Sequence, residues 1–368
     1  MTVIILFTYG ISLVNWQDTG LLNRELKIYE RLASKYNLTF KLLTFGDESD
    51  LDISIPSERI EIVPIYTFIK KSNIETINYI KSLFIGFQFK KLNIDKYSII
   101  KTNQLWGAWI GIILKLASRS KLLVRTGYDL LTFKTLQKKT PYKIFLFKSL
   151  TKISLKYCDY YVVTSNRDKE FLQLLFPKYQ NKLTVIKNYV EIIEQRNLLN
   201  NEKIISVGRL EKQKNYEYLI KEISNSNWTL DIVGEGTQKE SLNKLIKDNK
   251  SNANLIGAMD NTNLLKKLTE YKLYVSSTLY EGNPKSILEA MAAGCVVIAP
   301  NVIGVTEIID HGVNGFLYEL KENELSNFLK TINDYKLDEI SEMAKKYILD
   351  NHDVNIISEK EYSLYAKL

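Results

Sequence analysis

Cysteine, histidine and proline are scarce in this chain: two, two and six residues out of 368. Cys158 and Cys295 lie far apart, each in an apolar setting. That excludes a disulfide framework and fits buried free thiols in a reducing cytoplasm. No run approaches the roughly 18 consecutive apolar residues that span a membrane. The apolar stretch 3–7 (VIILF) is too short for a signal-peptide core and lacks a basic segment before it, so no secretory signal is expected. Internal repeats and low-complexity segments are absent.

What is present is an ordinary globular composition, 45% apolar and 25% charged, at about twice the usual length of one domain. The net charge of +8 hides an asymmetry. Residues 1–190 carry 29 Lys+Arg against 15 Asp+Glu, and residues 191–368 carry 21 against 27. The excess concentrates in residues 70–156, where 18 basic residues face only Glu75, Asp95 and Asp129. A basic half beside an acidic half predicts two domains with different partners, the basic one attracting something anionic.

Short β-rich runs alternate with helical patterns. Strands are expected at 3–9, 38–45, 60–65, 97–101, 121–126, 159–164 and 183–188, and helices at about 21–36, 106–118 and 141–157. The pattern restarts with strands at 203–208, 228–233, 253–257, 272–277 and 295–299, and the polar stretch 190–202 reads as the connection. The fold class is therefore α/β: two doubly wound, Rossmann-like domains facing across a cleft, with ligands bound beyond the carboxyl ends of the strands.

Three segments carry chemistry. In YEGNPKSILEAMAAGCVVIAP (280–300), Asn283 suits an N-cap, Pro284 the first helical position, and Gly294 the end of the helix. The helix start is a ready anion site, through its backbone N–H groups and the helix dipole. Glu281 lies just before it, and Glu289 about 7.5 Å along the axis. Carboxylates accept hydrogen bonds only, which suits paired sugar hydroxyls. In SVGRLEKQKN (206–215), Arg209 and Lys214 follow a strand end and suit a diphosphate and its leaving nucleotide. In IVGEGTQKESL (232–242), Gly234 and Gly236 would let a base or ribose approach the backbone.

These segments, in this order, resemble the C-terminal domain of the retaining GT-B glycosyltransferases of the group 1 (GT4-type) family. The matches are Gly208-Arg209-Leu210 with Lys214, Val233-Gly234-x-Gly236, Glu281-Gly282-x-Pro284 leading to Glu289-Ala290-Met291-Ala292-x-Gly294, and VTEIIDHGVNGFL (305–317). KNYVE (187–191) stands where the family has an Asn-Gly-Val-Asp-like turn. The resemblance implies domains at 1–190 (acceptor) and 191–345 (nucleotide sugar), with 346–368 a C-terminal helix returning to the first. It implies a nucleotide-diphosphate sugar donor, transfer with retention, and neither metal nor cofactor. Carried over, Glu281 contacts the donor hexose, Glu289 the ribose, and Arg209 with Lys214 the diphosphate, while the backbone N–H groups of Asn283, Lys285 and Ser286, beside Gly282, lie near phosphate or sugar. The family's glycine-containing loop after the first strand has its counterpart in NWQDTGLLNRE (15–25), with Thr19 and Gly20 opening a helix. A histidine common in relatives is missing from this half, since the only histidines are His311, in a surface turn, and His352. Asn103–Gln104 and Arg125–Thr126–Gly127–Tyr128–Asp129 occupy comparable places.

Competing readings are weighed against this one. A nicotinamide-dependent oxidoreductase would need G-x-G-x-x-G after a strand, and Lys239 stands at the third glycine position after Gly234. A non-catalytic GT-B-like membrane-surface protein, an epimerase or a phosphorylase-like activity are the others. Asp50-x-Asp52 resembles a metal-binding carboxylate pair but is expected in a solvated loop. Residues 138–157 and 69–91 mix lysines with aromatics. This pattern fits either a core helix with snorkelling lysines or contact with an anionic membrane surface, on the cytoplasmic side. No nucleic-acid-binding signature accompanies it. The expected function is transfer of a sugar to a glycan or lipid-linked glycan in cell-surface polysaccharide or lipopolysaccharide biosynthesis.

Overall fold

The computed structural model describes residues 1–127, 131, 141–193 and 200–368, the last segment's first three by backbone alone. Tyr128, Asp129 and residues 138–140 of the basic stretch lie outside them. The chain divides into two compact units, Met1–Lys187 with Ser358–Leu368, and Asn188–Ile357.

The first unit is built on a seven-stranded parallel sheet of order β3-β2-β1-β4-β5-β6-β7. The strands are β1 (Thr2–Leu6), β2 (Thr39–Thr44), β3 (Ile60–Pro64), β4 (Ile99–Thr102), β5 (Lys121–Arg125), β6 (Tyr160–Val163) and β7 (Leu183–Val185). Helices cover both faces of such a sheet, so its central strands read as near-continuous apolar runs. β1 (TVIIL) does so and is buried from Val3 onward. β4 (IIKT) breaks the rule with Lys101, which is 1% exposed. Its ammonium is paired with Glu361 from the helix Val354–Tyr365 and lies 5.0 Å from the ring centre of Tyr29. Burial pushes the Lys101 pKa down, with the Glu361 carboxylate pulling the other way. Tyr362 stacks on Tyr36 at 3.8 Å and Glu359 pairs with Lys35 at 2.6 Å, so the last turns of the chain are an integral layer of this unit.

Asp50 departs from the solvated loop expected of it. It is fully buried, and its carboxylate accepts from the Leu13 and Val14 N–H groups at 3.0 Å each and from Thr44 Oγ1 at 2.5 Å. It caps the helix Leu13–Asp18 from a distance, a role no local pattern reveals. Asp52 stays exposed, and no cluster of three metal-ligating side chains occurs among the described residues.

The second unit carries a six-stranded parallel sheet of order β10-β9-β8-β11-β12-β13. Its strands are β8 (Asn200–Val207), β9 (Thr229–Val233), β10 (Ala253–Gly257), β11 (Tyr271–Val275), β12 (Val296–Pro300) and β13 (Phe316–Tyr318). β8 begins inside the stretch read as the connection, and β13, three residues long, has no counterpart in the expected strands. Successive residues feed opposite faces. Ile205, Tyr274 and Val297 pack under the helices Lys285–Ala292 and Leu337–His352, while Ile204, Leu273 and Val296 join the core on the other side. The strand order reverses between β8 and β11, where open α/β sheets open a crevice beyond their carboxyl ends.

Candidate functional site

The loops that follow β8, β9, β11 and β12 meet at this reversal. After β8, the Gly208–Asn215 segment is laced to the loop after β11. Ser277 Oγ donates to the Lys214 carbonyl at 2.8 Å, Gln213 Nε2 to the Tyr280 carbonyl at 2.9 Å, and the Leu279 N–H to the Gln213 carbonyl at 2.9 Å. Within this lattice Lys214 Nζ stands 2.6 Å from Glu281 Oε1, which also accepts from Thr278 Oγ1 at 2.9 Å. Glu281 is 8% exposed, and its N–H donates to the Ile303 carbonyl at 2.9 Å. Gly304, at φ +81°, lies so close that a Cβ there would meet the Glu281 carbonyl at 2.1 Å. Arg209 remains exposed, its charge helping to hold the Glu211 carboxyl below its ordinary range after the larger effect of the Thr237 hydrogen bonds.

The helix Lys285–Ala292 runs up from this point with six consecutive buried residues, Ile287 to Ala292. Its end is as expected: Gly294, at φ +86°, donates to the Met291 carbonyl and Cys295 to that of Ala290, which closes the helix with a left-handed cap. Its start differs by one residue from the expectation. Pro284 occupies the N-cap position and no side chain caps the helix. Asn283 does not cap because its side-chain oxygen accepts from the Asn188 N–H at 3.0 Å, while Asn188 Nδ2 donates to the Asn283 carbonyl at 2.8 Å. Glu289 is buried in the second turn, with Asn261 Nδ2 donating to Oε1 at 3.0 Å. Lys285 Nζ lies 5.0 Å from the ring centre of Tyr189.

Gly234 and Gly236 have a packing cause. A Cβ at Gly234 would meet the Gly208 carbonyl oxygen at 2.0 Å, and one at Gly236 the Leu210 carbonyl oxygen at 2.5 Å. The two glycines let the β9 loop lie on the β8 loop, so neighbouring backbone is what approaches them. The structure thus brings Lys214, Glu281, Gly282, Asn283, Lys285 and Ser286 into one segment pair, with Arg209 at its edge. Asn188, Thr278, Gln213, Asn261 and Gly304 complete it. None of these five was singled out in the sequence, although Asn188 and Gln213 lie inside the segments 187–191 and 206–215; the partners of Asn188, Gln213 and Asn261 are 95, 67 and 28 positions away.

In the first unit, Thr19 and Gly20 close one helix, Leu13–Asp18, and stand directly before the next, Leu22–Tyr36, whose N-cap is Leu21. Thr19 is the C-cap of Leu13–Asp18, Gly20 sits at φ +69° with its N–H on the Gln17 carbonyl, and Leu21 donates to Trp16. The glycine directly after β1 is Gly10, at φ +83° with open space where a Cβ would point. Asn103 follows β4 with its N–H on the Leu6 carbonyl at 2.8 Å, and Gln104 Oε1 accepts from the Gly127 N–H at 3.1 Å. Arg125 ends β5, and its charge is among those that lower the Lys101 pKa. His311 has the structural place expected, Nδ1 accepting from the Leu317 N–H at 3.0 Å. His352 is fully buried in the second unit.

Residues 190–350 match the family described as glycosyl transferases group 1. A Haemophilus influenzae protein described as an uncharacterized glycosyltransferase is 30% identical over 188 residues, 47% of this chain and 50% of that protein, so the chain spans about half its length. The Campylobacter jejuni N-acetylgalactosamine-N,N'-diacetylbacillosaminyl-diphospho-undecaprenol 4-alpha-N-acetylgalactosaminyltransferase is 27% identical over 77% of this chain and 76% of its own. Anabaena Alr3699/HepE, solved in complex with UDP-glucose, shares the fold at a TM-score of 0.75 and 18% identity, over 100% of both chains. Residues 190–350 are thus similar to the glycosyl transferases group 1 family, and the chain carries the GT-B fold.

Proposed function

We propose that the protein is a retaining glycosyltransferase that moves a sugar from a nucleotide-diphosphate donor to a glycan or lipid-linked glycan acceptor. The observation that carries this reading is the largely buried Lys214–Glu281 pair, 17% and 10% exposed, set against a helix start that no side chain caps. The diphosphate would take the first-turn N–H groups at the start of this helix, with Lys214 and Arg209 neutralising its charge. Glu281 and Glu289, both acceptor-only groups, would clamp the hexose and ribose hydroxyls. In the transfer, the bond from the anomeric carbon to the phosphate oxygen breaks and a bond to the acceptor oxygen forms. The acceptor's proton passes to the departing phosphate oxygen, so the reading needs neither a protein base nor a metal.

The acceptor reading draws on the lipid-diphosphate glycan in the Campylobacter relative's name. A place in cell-surface polysaccharide or lipopolysaccharide assembly, at the inner face of the cytoplasmic membrane, follows from it. No helix among the described residues is long and apolar enough to cross a membrane. The first unit instead offers two helices, Glu75–Ile85 and Pro141–Tyr157, that both pack against the helix Ala108–Ser118. Ile80, Phe84, Phe87, Tyr142 and Phe145 are exposed on and just after them, among Lys90, Lys91, Lys143 and Lys148. Exposed aromatics among lysines suit an anionic bilayer. Sedimentation with phosphatidylglycerol vesicles should capture the protein and phosphatidylcholine vesicles should not. Equal capture by both, or no effect of Phe84→Glu with Phe145→Glu, removes the membrane part of the reading. For the activity, release of free nucleotide from a panel of nucleotide sugars is the test, with Glu281→Ala as the control.

A further inference from the structure

We propose that the first unit holds a second anion site, in which Lys121, Lys156 and Lys367 bind a phosphate monoester at the amino ends of β5 and β6. The inference goes beyond the donor reading and does not depend on it. A cavity of about 400 Å³ opens there, lined by these three lysines together with Lys115, Asp159 and Lys182. Lys121 is the first residue of β5, Tyr160 the first of β6, and Lys182 the residue before β7. The three strands are parallel, so the cavity lies at the opposite edge of the sheet from the carboxyl ends, where substrates of such sheets bind.

Two of the lysines are already committed, and they neutralise the negative groups of the cavity wall. Lys115 Nζ pairs with Asp159 Oδ2 at 2.6 Å, and the same oxygen accepts from the Leu122 N–H at 2.8 Å. Lys182 Nζ donates to the Leu155, Lys156 and Cys158 carbonyls at 3.0, 3.0 and 2.7 Å. These lie at the end of the helix Pro141–Tyr157, the negative end of its dipole, and the bonds use every proton of the ammonium. Lys121, Lys156 and Lys367 are left over. Among the described residues none of them has a carboxylate partner, and Leu368, which also lines the cavity, pairs with none of them. Like charges converging on one cavity repel, and an anion between them relieves that repulsion. Lysine is a compact point charge, which suits a phosphate dianion. The planar fork that grips a carboxylate needs arginine, and none is among the described residues that line the cavity. A monoester has two sources, a small soluble molecule or a lipid headgroup beside Ile153, which is 48% exposed.

Calorimetry of the full chain with glycerol 1-phosphate at low ionic strength tests the site. Lys121→Gln with Lys367→Gln should weaken binding about ten-fold or more, the worth of a charge-assisted hydrogen bond. Lys70→Gln with Lys71→Gln removes the same charge beyond the carboxyl end of β3 and should stay within about two-fold of wild type. That result assigns a soluble ester. If glycerol 1-phosphate does not bind the wild type, vesicles decide. The wild type should then need about ten-fold less phosphatidic acid than phosphatidylglycerol of equal surface charge for half capture, and the Lys121→Gln, Lys367→Gln variant should lose that preference. That result assigns a lipid headgroup. Equal binding of glycerol 1-phosphate by the wild type and this variant, or equal loss in the Lys70→Gln, Lys71→Gln control, overturns the inference. So does a wild type that neither binds the soluble ester nor prefers phosphatidic acid. Binding lost in Lys214→Met but kept in Lys121→Gln with Lys367→Gln places the ester in the second unit's loops and also overturns it.

Discussion

Lys214 Nζ lies 2.6 Å from Glu281 Oε1, and the two residues come from loops after different strands, 67 positions apart. The pair is the pin between the β8 and β11 loops. Its partners are 17% and 10% exposed, so each charge depends on the other more than a surface pair would. Removing one partner leaves a nearly buried charge. Lys214→Met and Glu281→Gln should each cost about 2 kcal/mol in urea unfolding. The double variant should fall short of their sum by about 1 kcal/mol or more, because the residues are in contact. Additive losses would mean that the pair is not coupled.

Gly304 and Gly312 separate backbone strain from steric contact. Both have positive φ, +81° and +78°, but only at Gly304 would a Cβ meet the Glu281 backbone, and at Gly312 nothing lies within 4 Å. Gly312→Ala should cost about 1 kcal/mol, the price of a left-handed alanine. Gly304→Ala adds a clash and should cost about 3 kcal/mol, with loss of donor binding because Glu281 moves. Urea titration of both variants checks the difference.

Lys101 and Glu361 are each 2% exposed at the side chain and hold the end of the chain to the first unit's sheet. Glu361→Ala strands a buried ammonium and should destabilise that unit by about 3–5 kcal/mol. Lys101→Met with Glu361→Leu should lie within about 1 kcal/mol of wild type, since an apolar pair avoids the desolvation of two charges. Chemical denaturation monitored by aromatic fluorescence distinguishes the outcomes.

Much of this was legible in the sequence, and the rest was not for physical reasons that can be named. The strands β1, β6 and β12 announced themselves because a sheet covered on both faces needs unbroken apolar runs. The end of the helix at Gly294 was readable because a left-handed cap is a local event. Its start was misplaced by one residue because Asn283 is engaged by Asn188, 95 positions earlier. Asp50 looked like a loop carboxylate because the N–H groups it caps lie 36 and 37 positions away. Thr19–Gly20 was read as a helix opening alone because a short helix ends at Asp18, three residues before the next begins at Leu22, so one turn carries both signals. Local rules marked the charged groups of the candidate site, and long-range hydrogen bonds decide how they are held.

The two cysteines are 1% and 0% exposed, and burial pushes the Cys158 thiol up to about 12. Neither should therefore react with a soluble thiol reagent at pH 8 in the native protein, since the thiolate is the reactive form and access is closed. Unfolding in urea should reveal both thiols. Rapid labelling of the folded chain would show that one of these sites is open.

Thermal shift across a panel of nucleotide-diphosphate sugars tests the central claim most directly. One donor, at about a hundred times its dissociation constant, should stabilise the wild-type chain by about 2.7 kcal/mol. The same donor should leave Lys214→Met and Glu281→Gln unshifted at that concentration. If no nucleotide sugar stabilises the wild type, or if both variants shift as much as it does, the Lys214–Glu281 pair is not part of a donor site.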